Sequence, residues 1–137
     1  MAYDNPTTRT YDLGAIDFGT ASDIEITIPV PTYPDGSQGM AGRVQSVLIS
    51  AVTEDFAGSS SDAGVQVGDG SDADKYYDTG LVLDETIDVA DLAILDLADD
   101  GSKVDIEMAR STVTVTLVAN AGTPTGQANV AVVIDWF

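Results

Sequence analysis

The sequence contains no cysteine and no histidine, and it has a single tryptophan. Without cysteine, the chain can form neither a disulfide nor a thiolate metal site. Without histidine, it lacks the side chain that most often acts as a general base near neutral pH and most often binds transition metals. Most familiar catalytic sites are therefore excluded. The sequence predicts a protein that is not an enzyme and that binds no cofactor.

Basic residues are also scarce, since 5 Lys and Arg stand against 23 Asp and Glu and give a formal net charge of −18. This charge repels phosphate backbones and anionic lipid surfaces. No apolar run reaches the roughly 18 residues that a membrane span needs, and the first residues have neither the basic nor the apolar region of a signal peptide. The composition thus predicts no nucleic-acid partner, no membrane partner and no export by a signal peptide.

The main positive signal is an alternation of apolar and polar residues, and it is clearest at 112–137. Val113, Val115 and Leu117 alternate with polar residues in the first run, and Val130, Val132, Ile134 and Trp136 do so in the second. We expect Val113, Val115, Val130, Val132, Ile134 and Trp136 to share one core. Between the two runs, residues 119–127 contain two glycines and a proline, which predicts a hairpin with a surface loop. The second strand also carries Ala131, Val133 and Phe137 on its other face. We therefore expect it to lie centrally or to be covered by another subunit.

Weaker alternation continues through the rest of the chain. It predicts strands within 9–18, 23–30, 43–53, 65–67, 75–83 and 104–108. The 43–53 strand is apolar on both faces, so we expect it in mid-sheet. Tyr76 and Tyr77 fall on opposite faces, which predicts one core tyrosine and one surface tyrosine. Residues 86–100 mix helical spacing with an apolar run and predict a short helix or a turn.

Together these patterns predict an all-β protein, an antiparallel β-sandwich or jelly roll of about seven to nine strands with at most one short helix. Residues 1–8 have no periodicity and contain Asn5-Pro6. They are expected to form an extended arm that reaches a partner, or alternatively a frayed terminus. Residues 9–137 are long enough to bury a core and are expected to form a single β domain.

One acidic loop is a weak candidate for a metal site. Asp69, Asp72 and Asp74 lie on a glycine-rich stretch, and their carboxylates could supply oxygen ligands to Ca²⁺. The EF-hand spacing is absent, however, and solvated acidic loops are expected in so acidic a chain. The sequence therefore predicts no metal. Arg43 and Arg110 open strands. They could pair with carboxylates across an interface, but in so acidic a chain we expect ordinary ion pairs within the chain.

Several short stretches resemble small virion structural proteins of tailed phages, in particular those of marine and cyanobacterial phages. They are NP at 5–6, RTYD at 9–12, GRV at 42–44, VGDGSDADKY at 67–76, NAGTPTGQA at 120–128 and VIDWF at 133–137. These are turn and strand signatures spread over most of the chain, and they carry no catalytic residues. The aspartate enrichment goes beyond what such a fold needs.

The resemblance implies a capsid decoration or cement protein, which is a small β-sandwich or jelly-roll subunit that binds the phage head and stabilises it. The implied partners are the major capsid protein and further copies of the chain in a homo-oligomer, most plausibly a trimer. The implied location is the outer surface of the virion capsid, after synthesis in the host cytoplasm. Expected contact residues are Tyr3, Asn5, Pro6, Arg9 and Phe137. A tail, fibre or receptor-binding module is the alternative.

Overall fold

In a computed structural model, the chain is described at residues 7–19, 22–61, 63–83, 94–101, 104–119 and 121–137. Within these residues it forms eight strands. They are β1 (Thr7–Asp17), β2 (Ile24–Pro29), β3 (Gly42–Ser61), β4 (Gly64–Gly68), β5 (Tyr77–Asp78), β6 (Leu95–Leu97), β7 (Thr112–Val118) and β8 (Ala121–Trp136). The described residues contain no helix, and therefore no helix that is long and apolar enough to cross a membrane.

The strands form two four-stranded antiparallel sheets, with the orders β1-β8-β3-β6 and β2-β7-β4-β5. We call them sheet A and sheet B. The pairs β1–β8, β2–β7, β3–β6 and β4–β5 are nested, as if a long hairpin with its tip between β4 and β5 had been rolled up. The additional pairs β3–β8 and β4–β7 complete the sheets. This arrangement of two sheets is the jelly roll, so the predicted fold class is confirmed.

The predicted hairpin at 112–137 is wrong, although both of its strands exist. β7 pairs with β2 and β4 in sheet B, whereas β8 pairs with β1 and β3 in sheet A. Alternation shows which residues face a core, and in a sandwich the two facing sheets share that core. The pattern therefore could not tell a hairpin from a crossing between sheets. The expectation that β8 is central holds, because it lies between β1 and β3.

The core lies between the sheets and contains every residue predicted for it from the 112–137 pattern, all with 0 or 1% exposure. Trp136 is fully buried, and its indole N–H donates to the Tyr11 hydroxyl at 2.8 Å. The prediction of one surface tyrosine at 76–77 is wrong, since both side chains are buried. Tyr76 donates to the carboxylate of Glu107 and Tyr77 to the carbonyl of Leu97, so both hydroxyls keep a partner inside the fold.

Other boundaries differ from the patterns. Strand β1 begins at Thr7, so the last two residues assigned to the arm belong to the sheet, and residues 1–6 lie outside the described residues. The strand predicted at 104–108 is reduced to one bridge between Ile106 and Gly42. Of the 86–100 stretch, Leu95–Leu97 is strand β6, and residues 86–93 lie outside the described residues. Strand β3 lies in mid-sheet between β8 and β6, as predicted.

Candidate functional site

Two of the predicted contact residues, Arg9 and Phe137, lie at one end of the sandwich. Here β1 begins and β8 ends, because Thr7 pairs with Trp136, and β3 begins beside them, because Gly42 pairs with the same tryptophan. In sheet B, β2 ends where β7 begins, since Pro29 pairs with Thr112. The loop from β2 to β3 joins the two sheets at this end. We call this end of the sandwich the arm end, because strand β1, which follows residues 1–6 in the sequence, begins there.

Of the predicted contact residues, Tyr3, Asn5 and Pro6 lie outside the described residues. Arg9 and Phe137 are both at the arm end, but on opposite faces of sheet A. Arg9 pairs with Ile134, whose side chain faces the core, so the guanidinium lies on the inner side of the sheet edge. Phe137 follows the buried Trp136 and lies on the outer side, half-buried.

Phe137 is held in place by its neighbours. Its backbone N–H donates to the carbonyl of Ala41 at 2.9 Å, and the Arg43 guanidinium lies 5.8 Å from the centre of its ring. Arg43 also makes a two-point ion pair with Asp105, with nitrogen–oxygen distances of 2.8 and 3.0 Å. The planar guanidinium can thus bind a carboxylate and stack on an aromatic ring at once. This anchors the end of β8 to the 104–106 segment, and the predicted intramolecular pairing of Arg43 is confirmed.

Positive charge is concentrated at the arm end. Every basic residue of the described chain lies there: Arg9 and Arg43 at the starts of their strands, Lys75 in the loop after β4, and Arg110 just before β7. The opposite end, as far as it is described, bears acids such as Asp23 and Glu54 and no base. The described bases are therefore unevenly distributed along the strand direction, although acids such as Asp105 and Glu107 lie beside them at the arm end.

The acidic loop is organised around one lysine. The carboxylate of Asp69 accepts backbone N–H bonds from Ser71 at 3.0 Å and Asp72 at 2.9 Å, and a bond from the Lys75 ammonium at 3.1 Å. The Asp72 N–H, the lysine and the Ser71 donors hold the pKa of Asp69 well below its ordinary value. The oxygens that a Ca²⁺ ion would need from Asp69 thus already have donors. Within the described residues, no three acidic side chains converge on a possible metal position.

Glu107 joins this loop to the segment before β7. It accepts from Lys75 at 3.0 Å, from the Tyr76 hydroxyl at 2.8 Å and from Arg110 at 2.8 Å. Burial raises the pKa of this carboxyl, but hydrogen bonds from its own backbone and from these three side chains outweigh it and lower the pKa to about 2. Asp69, Lys75, Glu107 and Arg110 are thus mutually neutralised. They form a structural brace, and the predicted pairing of Arg110 is confirmed.

A cavity of about 190 Å³ opens at the arm end between β1 and the loop after β2. Its lining includes Thr7, Arg9, Pro31, Pro34, Met40 and Trp136. Trp136 and Met40 are buried, while the Arg9 side chain is exposed at the sheet edge. Among the described residues, Arg9 has no ion pair, whereas Arg43, Lys75 and Arg110 each have a carboxylate partner. A cation without a carboxylate is unusual in so acidic a chain.

The outer face of β8 is flatter and less apolar than its sequence suggested. Val133 lies between Thr10 and Ser46 of the neighbouring strands, and Asp135 accepts a 2.6 Å hydrogen bond from Thr8. Ala131 and Val133 are half-buried by these flanking strands. Two large exposed apolar side chains, Val104 at 51% and Met108 at 53%, instead lie in the segment that packs against the β2–β3 loop at the arm end.

Sequence reasoning singled out Arg9 and Phe137, which both lie at the arm end, and did not single out the other residues that line this end. Met40 and the two prolines belong to a stretch that reads as an ordinary turn-rich loop. A usable signal was present, because Met40 is the only large aliphatic side chain between Pro31 and Arg43 and is therefore a candidate for burial. Glu107 was missed because it alternates with Ile106 and Met108 like a solvent-facing strand residue.

Comparison with known proteins finds a structural neighbour. The fold is similar to that of a chain in the solved "Cyanophage Pam1 capsid asymmetric unit", with a TM-score of 0.54 and 14% sequence identity over 100% of this chain and 89% of that chain. The predicted resemblance is confirmed in this sense, since the neighbour comes from a cyanophage capsid. At this identity the similarity shows a shared fold. No family model matches the chain, and no curated protein matches it.

Proposed function

We propose that this chain is a non-enzymatic structural protein of a phage virion, a decoration or cement protein that binds the outer surface of the capsid and stabilises it. The observation that carries the proposal is the jelly roll shared over the full chain with a protein of a cyanophage capsid. The proposed partners are the major capsid protein and further copies of the chain, which we expect to form a trimer. The proposed place of synthesis is the host cytoplasm.

The net charge supports binding to the outer surface of the capsid rather than to its inner surface. A subunit on the inside of a filled head would face packaged nucleic acid, and a chain with a net charge of −18 would be repelled by its phosphates. On the outer surface, the same charge faces solvent and keeps neighbouring particles apart.

The distribution of bases and exposed apolar side chains supports an orientation of the molecule. The arm end combines the basic residues of the described chain with exposed Met108 and Val104 and the half-buried Phe137 ring. Interfaces favour apolar and aromatic residues together with arginine, and they disfavour unpaired acids. We therefore propose that the arm end, with residues 1–6, Arg9 and Phe137, faces the shell. The acidic far end then faces the solvent.

The test uses heads of the phage that encodes the chain, stripped of the protein and then incubated with wild type or variants. Deletion of residues 2–6 stops short of β1 and should leave the fold intact, while it sharply weakens cosedimentation with heads and protection against heat or osmotic shock. Phe137→Asp should act in the same direction. Thr27→Asp, on the exposed outer face of sheet B, is the matched surface control.

Full occupancy and protection with both arm-end variants would remove the arm end from the interface. Absence of the protein from purified heads, together with its presence on tails, would replace the cement proposal by the tail, fibre or receptor-binding alternative. Copy number separates these outcomes independently, because a head protein should be far more abundant in the virion than a tail protein.

A further inference from the structure

The cavity under Arg9 lies at the arm end but is not explained by the fold alone. Protein interiors are normally close-packed. Here a space of about 190 Å³ remains between β1 and the β2–β3 loop. This volume is well above the roughly 10 to 15 Å³ that a cavity needs to hold one water molecule, so a larger group can enter. The space is therefore suited to a single inserted group.

The walls of the cavity are chemically divided. Pro31, Pro34, Met40 and Trp136 form an apolar surface, and the tryptophan is held in place by its hydrogen bond to Tyr11. The prolines limit the backbone freedom of the loop, so this wall is preorganised. A group that fills this side of the cavity must be apolar.

The polar residues of the lining are Arg9, Thr7 and Thr32. Arg9 has no carboxylate partner among the described residues, and each other described base has one. A guanidinium at the edge of an apolar cavity recognises a carboxylate through a forked pair of N–H donors, with better geometry than an ammonium. A phosphate is disfavoured relative to a carboxylate because its additional negative charge finds no second cation in the lining and is repelled by a strongly acidic chain.

We propose that this cavity is a binding site for a carboxylate attached to an apolar group, presented by the capsid shell protein as an acidic side chain next to an apolar one. The argument is charge complementarity together with position, since the cavity opens at the end of the sandwich that we have proposed to face the shell. The inference thus rests on the proposed function and specifies the chemistry of the contact. A second copy of this chain and its own residues 1–6 are the competing occupants.

The site can be probed without the shell. Phenylacetate fits the stated chemistry, while its neutral amide, phenylacetamide, has the same shape without the charge. In NMR titrations of the full chain, phenylacetate should bind in the millimolar range and shift the Trp136 indole N–H and the Met40 methyl signals. Phenylacetamide should bind about tenfold more weakly. Arg9→Gln should remove this difference in affinity between the acid and the amide. Arg43→Gln should keep the difference, because the Arg43 guanidinium pairs with Asp105.

Shell binding then tests the source of the carboxylate. Arg9→Gln should reduce head binding about tenfold while Arg43→Gln reduces it less. Equal binding of the acid and the amide, or shifts confined to other residues, would overturn the site. If phenylacetate binds as expected but Arg9→Gln leaves head binding unchanged while Phe137→Asp abolishes it, the shell is not the source and the proposed function stands.

The competing occupants have their own signatures. Tighter phenylacetate binding after deletion of residues 2–6 would identify the chain's own arm as the occupant and overturn the shell assignment. Loss of self-association in Arg9→Gln, measured by sedimentation velocity, would identify a second copy of the chain as the occupant and would also overturn the shell assignment. If the wild type does not bind heads at all, the proposed function fails, and the titration still decides whether the cavity binds carboxylates.

Discussion

Replacing Gly42 with alanine tests a close packing contact at the arm end. Gly42 opens β3 opposite Trp136 and exchanges backbone hydrogen bonds of 3.0 and 2.7 Å with Ile106. A Cβ atom at this position would lie 2.5 Å from Cε3 and 2.6 Å from Cζ3 of the indole ring. The ring is buried and large, so it cannot move aside without shifting its neighbours. Overpacking of this kind costs about 1 to 3 kcal/mol.

An opposing effect on the unfolded chain makes the sign of the change in unfolding free energy informative. Alanine restricts the unfolded chain more than glycine does, which by itself would stabilise the protein by about 0.4 to 1 kcal/mol. Gly42 has no left-handed backbone angle, so alanine meets no backbone strain there. The substitution should therefore destabilise the wild type by about 1 to 2 kcal/mol. In a Trp136→Phe background, which lacks the clashing half of the indole, it should be neutral or slightly stabilising.

The measurement is urea unfolding of the four proteins of this double-mutant cycle, followed by far-ultraviolet circular dichroism because Trp136→Phe removes the fluorophore. A coupling energy of 1 kcal/mol or more between the two positions is expected, at the level usual for contacting residues. The same loss from Gly42→Ala in both backgrounds would show that the contact with the ring is not the cause. A stabilised single variant would mean that the two elements are packed less closely than the structure shows.

Further predictions concern the core, the brace and the acidic loop. Trp136 should emit at the short wavelengths of a buried indole, and Trp136→Ala should cost about 3 to 5 kcal/mol in urea unfolding; a water-like emission maximum would contradict both. Because the folded-state pKa of Glu107 is lowered to about 2, its contribution is complete above its ordinary value of 4.5 and is lost as the pH falls towards 2. The stability gap between wild type and Glu107→Gln should therefore narrow across that acid range, and a constant gap would argue against the ion pairs as its source. Addition of Ca²⁺ should leave the melting temperature unchanged in wild type and in Asp69→Asn, and a rise of many degrees in wild type alone would restore the metal site.

The sequence predicted the layers of this fold better than its connections. Period-2 patterns at β2, β3, β7 and β8 identify the core faces, because burial follows directly from alternation. The pairing of strands does not follow from alternation. It depends on which sheet each strand enters, and β7 and β8 have equally good core faces whether they pair with each other or cross between sheets.

Contacts between residues distant in sequence also explain why the burial of both tyrosines and the cavity at the arm end could not be predicted. Tyr76 and Tyr77 can both be buried because their hydroxyls reach Glu107 and Leu97, residues that are distant in sequence. The cavity depends on β1, the β2–β3 loop and the end of β8 meeting in space. Sequence patterns could single out Arg9 as one of few bases, but they could not show that it alone among the described bases would lack a carboxylate.

The nested pairing has a consequence during protein synthesis. Strand β8 lies in the centre of sheet A, yet the ribosome makes it after every strand that it holds together. At ordinary elongation rates, the interval between β1 and β8 is on the order of ten seconds. Throughout it, β1 and β3 have no shared partner, and their apolar inner faces are open to association with other nascent chains. Because aspartate is spread along the whole chain, successive nascent copies repel one another before any sheet is complete. We therefore expect the acidity to protect the unfinished chain as much as it shapes the surface of the finished one.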